Sequence, residues 1–374
     1  MRKKFIIMAS AGLILLVCIF IIASHNRPSG VMGNNEIQPL QAGFDDLLSH
    51  TALINDSFIY LSLDGSVATY YRYYINNNQK VAVGTINGFY LGTKNTVLID
   101  GKLYFYVNVI EDNKEDITNT LFCIDLSKNS MSSYENDDNS LPGILTYQFG
   151  GDIITLKNRA DGEITTTYLD IFDVNSKSWR QENINVVDSG TNTGSVIFGL
   201  YGNKETVYVL HNDCSGRGNT YTSLKTYDGN MKELRTINID GDLKSYILGS
   251  GIQEIAVFGD YIYTNNRASY ALLGKINGGT IEPVIKERNL ELALNQTSPE
   301  APFFYVRRSN KCYMLDTETG TISTVNLQIG NGYSIQHILA DEKNILLTCF
   351  SEDKSDYKYY LKKDNLSSTY IPCE

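Results

Sequence analysis

The chain has 374 residues, 42% of them hydrophobic, and a formal net charge of −10 from 32 basic and 42 acidic side chains. That balance argues against nucleic acid and against polyanions adhering over the whole surface, while leaving room for a local basic patch. The 4 histidines and 6 cysteines form no pair or cluster at zinc-ligand spacing, so neither a metal site nor a cofactor is expected.

Met1-Arg2-Lys3-Lys4 precedes an uncharged run from Phe5 to Ser24. As a helix rising about 1.5 Å per residue, that run spans about 30 Å, the thickness of a bilayer's hydrocarbon core. It exceeds the apolar stretch of a cleaved signal peptide, and Ile21-Ile22-Ala23-Ser24 offers no small-x-small cleavage site. Residues 1–24 are therefore expected to form a signal-anchor transmembrane helix, with the basic N-terminus cytoplasmic and the rest outside the cell. Residues 25–41, with Pro, Gly and no periodicity, read as a linker. Residues 42–374 exceed what one hydrophobic core usually serves, which favours a closed array of repeats.

Beyond residue 50 helical periodicity is nearly absent, and short β-branched and aromatic runs alternate with Gly, Asn and Asp. One unit recurs: an apolar run, a strand with an apolar-Tyr pair, a polar hairpin, an alternating strand ending in Asp, a tight turn and a last strand. Tyr60, Tyr104, Ile154, Tyr208, Tyr263, Tyr305 and Leu346 mark successive copies at intervals of 44, 50, 54, 55, 42 and 41 residues. Seven copies with four short strands each predict an all-β, seven-bladed β-propeller, with six or eight blades compatible with the variable loops. The last copy holds four apolar runs, near 334–339, 344–350, 357–362 and 368–371, so closure need not borrow an N-terminal strand.

The pattern resembles the TolB-like and quinoprotein-like propellers of bacterial envelopes, and Asp316-Thr317-Glu318-Thr319-Gly320 is similar to the Asp-x-x-Thr-Gly turn of quinoprotein repeats. The resemblance implies a fold and a structural turn, and no activity. Trp179 is the single tryptophan, whereas quinoprotein repeats carry many, so it implies no quinone.

No Gly-x-Ser-x-Gly elbow, Walker loop or Gly-x-Gly-x-x-Gly follows a strand. His337 lies in an apolar run and reads as a core histidine. Cys123 and Cys312 share the parity of core-facing Leu121 and Met314 and read as small buried hydrophobes. The acidic hairpins at 111–116 and 351–356 each carry a central lysine and read as solvated tips rather than calcium loops. The tyrosine clusters Tyr70–Tyr74 and Tyr357–Tyr360 read as packing between blades.

In four successive copies the hairpin between second and third strands is expected to carry arginine: Arg159, Arg217, Arg267, and Arg307 with Arg308. These are five of the 11 arginines in the chain. Such hairpins crowd one face of a propeller, and guanidinium forks suit carboxylate or phosphate. The expected function is a non-enzymatic, membrane-tethered binding or scaffolding propeller recognising a protein or an anionic envelope polymer. The alternative is a carbohydrate-active hydrolase or lyase working in the central funnel through carboxylates about 5–9 Å apart.

Overall fold

A computed structural model describes residues 52–373 except 56, 66, 75–76, 78, 93–95, 111–116, 137–141, 189–192, 204, 216–218, 240–253, 266–270, 279, 294–301, 328–331, 342–343, 352–355 and 364–370. The expected membrane helix and linker lie outside the described residues, as do the two acidic hairpin tips.

The strands form units of antiparallel neighbours taken in chain order. Unit one holds β1 (Ala52–Ile54), β2 (Ser57–Asp64), β3 (Val67–Tyr74) and β4 (Gln79–Asn87). Unit two holds β5 (Phe89–Gly92), β6 (Val97–Ile99), β7 (Lys102–Ile110), β8 (Ile117–Asp125) and β9 (Ser130–Glu135), with β5 and β6 both pairing along β7. Unit three holds β10 (Pro142–Phe149), β11 (Asp152–Asp161), β12 (Ile164–Asp173) and β13 (Ser178–Asp188). Unit four holds β14 (Thr193–Gly202), β15 (Val207–Ser215), β16 (Asn219–Tyr227) and β17 (Glu233–Ile239). Units three and four share one eight-stranded sheet because the ends of β13 and β14 pair at Val187 with Gly194 and Asp188 with Thr193. Unit five holds β18 (Glu254–Phe258), β19 (Tyr261–Asn265), β20 (Ala271–Asn277) and β21 (Thr280–Glu287). Unit six holds β22 (Leu290–Leu292), β23 (Phe303–Val306), β24 (Lys311–Leu315) and β25 (Ile322–Asn326). Unit seven holds β26 (Ser334–Ala340), β27 (Asn344–Ser351), β28 (Asp356–Lys363) and β29 (Ile371–Cys373).

All the apolar-Tyr markers fall on second strands, and the last unit supplies its own fourth strand, at Ile371–Cys373 rather than 368–371. Two short strands lie between the marked copies. Phe89–Gly92 pairs with Val107–Ile110, and Leu290–Leu292 pairs with Phe304–Val306, which satisfies backbone groups that a buried loop would leave unpaired.

Alternation sends each strand's side chains to both faces of its sheet, and both faces are apolar. Unit two shows the consequence. Leu103, Phe105 and Val107 pack toward unit one, while Tyr104 and Tyr106 pack toward Ile153 and Phe172 of unit three. Similar clusters join units three and four, four and five, five and six, and six and seven. The circle closes where Leu53, Phe58 and Tyr60 of unit one meet Leu339 and Leu346 of unit seven. First strands of neighbouring units touch, β6 with β10, β10 with β14, β14 with β18 and β26 with β1, which places them nearest the centre.

A polar clasp completes the closure. Asp341, in the turn after β26, accepts the N–H of Asn55 at 2.7 Å and the N–H of Asn344 at 2.6 Å. The side-chain amide of Asn344 donates to the carbonyl of Asn55 at 3.0 Å. Asn55 takes a φ of 51°, a left-handed turn conformation that asparagine tolerates well. Replacing Asp341 with Ala removes its two hydrogen bonds at a solvent-accessible turn, and the expected loss is about 0.5–1.5 kcal/mol of unfolding free energy by denaturant titration.

Candidate functional site

The arginines expected on one face are only partly placed together. Arg217 and Arg267 lie outside the described residues. Arg159 is not at a hairpin tip: it is an exposed strand residue of β11, paired with Thr166, and its guanidinium lies 5.6 Å from the Tyr168 ring centre. The tip falls further on, at the turn through Gly162. Arg307 and Arg308 do occupy the turn between β23 and β24, and both are exposed.

That turn is stitched to the next unit. Arg308 donates its N–H to the carbonyl of Ile335 at 2.6 Å, and the N–H of Ile335 donates to Ser309 at 3.1 Å. Arg308 holds a φ of 65°, a region costing a side-chain-bearing residue about 1–2 kcal/mol. A glycine would take it freely, yet arginine stands there.

Arg307 opens a polar chain between first and second strands of units six and seven. Its Nε lies 3.1 Å from Oε1 of Glu291 on β22. Oε2 of Glu291 accepts the Tyr305 hydroxyl at 3.1 Å, and that hydroxyl is 3.4 Å from Nδ1 of His337. His337 reaches this position through a bulge in β26, where the pairing slips between Ile335 and His337. Burial, then the nearby Arg307 charge, pushes the imidazole pKa down to about 3. The expected core histidine is thus a buried, hydrogen-bonded one.

Sequence reasoning missed a second polar cluster, between units two and three. Lys157 and Asp170 are both fully buried, with Nζ 3.0 Å from Oδ2. The same Oδ2 accepts the Asn136 side-chain amide at 2.5 Å and, at 3.5 Å, the Tyr106 hydroxyl. Burial, then Asp170, pushes the Tyr106 pKa well up. Lys157 stands two residues before Arg159, whose hairpin was expected there, but β11 runs on to Asp161, so Lys157 is a central-strand residue paired with Tyr168. The legible signal was parity: Lys157 alternates with Ile153 and Thr155, and Asp170 with Phe172, in strands buried on both faces.

Other features are structural. Tyr70 packs on Phe105 of unit two at 4.9 Å, while Tyr71 and Tyr73 turn to the opposite face against Tyr60 and Phe58. Arg72 bonds the Leu126 carbonyl at 2.5 Å and Asn129 at 3.1 Å, tying unit one to unit two. Cys123, Cys312 and Cys349 are buried free thiols, that of Cys349 pushed up to about 12 by burial. Asp316 accepts N–H groups from Glu318 and Thr319 while Gly320 takes a φ of 70°. The aspartates that end the third strands of units two and three, Asp125 and Asp173, accept N–H groups in the same pattern.

No family model and no curated protein matches the chain. Among solved structures, a post-proline cleaving enzyme from Rickettsia typhi matches 87% of this chain and 53% of its own, at 12% identity and a TM-score of 0.54. An uncharacterised protein from Listeria monocytogenes matches 92% of this chain and all of its own, at 12% identity and a TM-score of 0.52. The β-propeller domain of the Trilobed protease from Pyrococcus furiosus matches 76% of this chain and 84% of its own, at 11% identity and a TM-score of 0.47. The chain thus spans about half the length of the Rickettsia enzyme, and the likeness is one of fold. A ring of four-stranded antiparallel sheets defines an all-β protein of the β-propeller class. These identities attach no narrower family and no activity to it.

The depressed His337 pKa has a consequence for stability. The unfolded imidazole binds a proton below about 6.5 while the folded one stays neutral down to about 3. Its contribution is complete above 6.5 and falls with decreasing pH across that window, by at most about 1.4 kcal/mol per pH unit. Denaturant titrations of the parent and of His337→Gln should therefore diverge between pH 6.5 and 4, the parent losing stability more steeply.

Proposed function

We infer that the chain is a seven-bladed propeller, carried outside the cell on an N-terminal membrane helix, that binds an anionic partner rather than performing catalysis. The blade count is supported by the seven-fold marker spacing and by the closing contact of unit one with unit seven. The membrane anchorage rests on the uncharged run from Phe5 to Ser24. The ligand class is a polymer bearing carboxylate or phosphate groups, recognised by Arg159, Arg217, Arg267, Arg307 and Arg308 on the second-to-third-strand side of the ring.

One observation carries the ligand assignment: the Arg307–Arg308 turn. Its backbone is bonded to β26 of the next unit, so the side chains are presented from a fixed base, and Arg308 keeps a conformation that glycine would adopt more easily. Backbone strain retained by a charged residue points to recognition. Arg307 engages Glu291 through Nε alone among the described residues, which orients the guanidinium while leaving its outer edge at the surface.

The test is binding of the full chain, in detergent, to polyphosphate and to a polycarboxylate at low and high salt. Affinity should fall with salt, and by about tenfold for each arginine replaced in the combined variant Arg159→Glu, Arg217→Glu, Arg267→Glu. Arg308→Gly should weaken binding yet leave the protein at least as stable as the parent, because it relieves the left-handed strain. Unchanged binding in both variants would contradict the assignment.

A further inference from the structure

The cluster between units two and three sets a buried lysine and aspartate against a half-buried asparagine at the edge of the seam. Lys157 brings an amine and Asn136 a carboxamide, both held on one oxygen of Asp170 at 3.0 and 2.5 Å. Lys157 and Asp170 are fully buried, walled by Tyr106, Phe172 and Trp179. The Trp179 indole N–H donates to the carbonyl of Glu135 at 3.1 Å, which pins the chain entering Asn136 against unit three. Tyr134 and Trp179 each pack on Phe172 with ring centres 4.8 Å apart, fixing that pin from both sides. Among the described residues the Lys157 ammonium has one charged neighbour, and its Nζ makes no hydrogen bond of good geometry.

We propose that Lys157 and Asn136 join in an intramolecular amide bond, with Asp170 carrying the protons. Asp170 takes a proton from the Lys157 ammonium, which converts a buried ion pair into a neutral amine and acid. The amine Nζ attacks Cγ of Asn136, forming the new C–N bond. Asp170 returns its proton to the Asn136 amide nitrogen as the old Cγ–Nδ2 bond breaks. Ammonia leaves and takes up the remaining proton in water. One lysine ammonium and one carboxamide become one secondary amide and one ammonium ion, with Asp170 restored as carboxylate and no oxidant, metal or external reagent.

Three physical features favour the step. The two groups lie against one carboxylate oxygen, so the reaction is intramolecular. One carboxylate oxygen stands 3.0 Å from the Lys157 amine and 2.5 Å from the Asn136 amide nitrogen, so Asp170 reaches both ends of the proton transfer. Full burial of Lys157 and Asp170 keeps water away from the amine and the proton carrier. The product would be a covalent strut from the end of β9 in unit two to the central β11 of unit three, across a seam that ordinary packing already fills.

The experiment is proteolysis and mass spectrometry of the purified full chain. The expected product is a branched peptide that links the Asn136 segment to the Lys157 segment, lighter than its two linear parts by one ammonia and resistant to trypsin at Lys157. It should be absent from Asn136→Ala, whose half-exposed position lets the variant fold. Two unmodified linear peptides from the parent would overturn the proposal. So would a branched peptide lighter by one water, because that loss would join Lys157 to Asp170 and leave Asn136 without its role.

Discussion

A four-stranded sheet with two apolar faces cannot stand alone, and everything else in this protein follows from covering both faces of every sheet. Each buried aliphatic or aromatic side chain contributes about 1.5–3 kcal/mol, and only against a neighbour. An open row of such sheets would leave a face bare at each end. The contact of Leu53, Phe58 and Tyr60 with Leu339 and Leu346 removes both bare faces at once. The Asp341–Asn55–Asn344 clasp fixes the angle at which they meet.

Closure of this kind buries the faces of every unit, and turns such as those at Asp341 and Arg308 tie neighbouring units together. Polar ties across the seams add specificity rather than much energy. Arg72 reaches from unit one to Leu126 and Asn129, and Lys311 and Tyr313 of unit six both bond Glu287 of unit five. On such a frame the backbone of the Arg307–Arg308 turn is bonded to the neighbouring unit as well as within its own hairpin. The seam between units two and three likewise brings Lys157, Asp170 and Asn136 together.

Much of the architecture was legible in residue pattern. The apolar-Tyr pairs marked the second strands because a central strand must be apolar on both faces, and the strand-ending aspartates marked the tight turns they cap. Boundaries were harder. β5 and β22 stood outside the pattern, since three- or four-residue strands defined by pairing with a longer partner carry little periodicity of their own. The site was legible only in part. Arg307 and Arg308 fell in a turn as expected, but Arg159 stands within a strand because β11 and β12 extend well past their apolar segments. Lys157 reads as a surface residue because lysine is so seldom buried that composition outweighs parity. Asn136 reaches Asp170 from 34 positions away in the chain, through a seam that only the packed ring creates.

The account depends on the closing seam, and removing unit seven tests it most directly. A chain ending at Leu327 would be compared with the full chain by thermal unfolding and by its state of association. If the ring is closed, the truncated chain exposes one face of unit one and one face of unit six together, and it should lose cooperative unfolding and aggregate. A folded monomer with a Tm near that of the parent would show that the units form an open row, and would contradict the account.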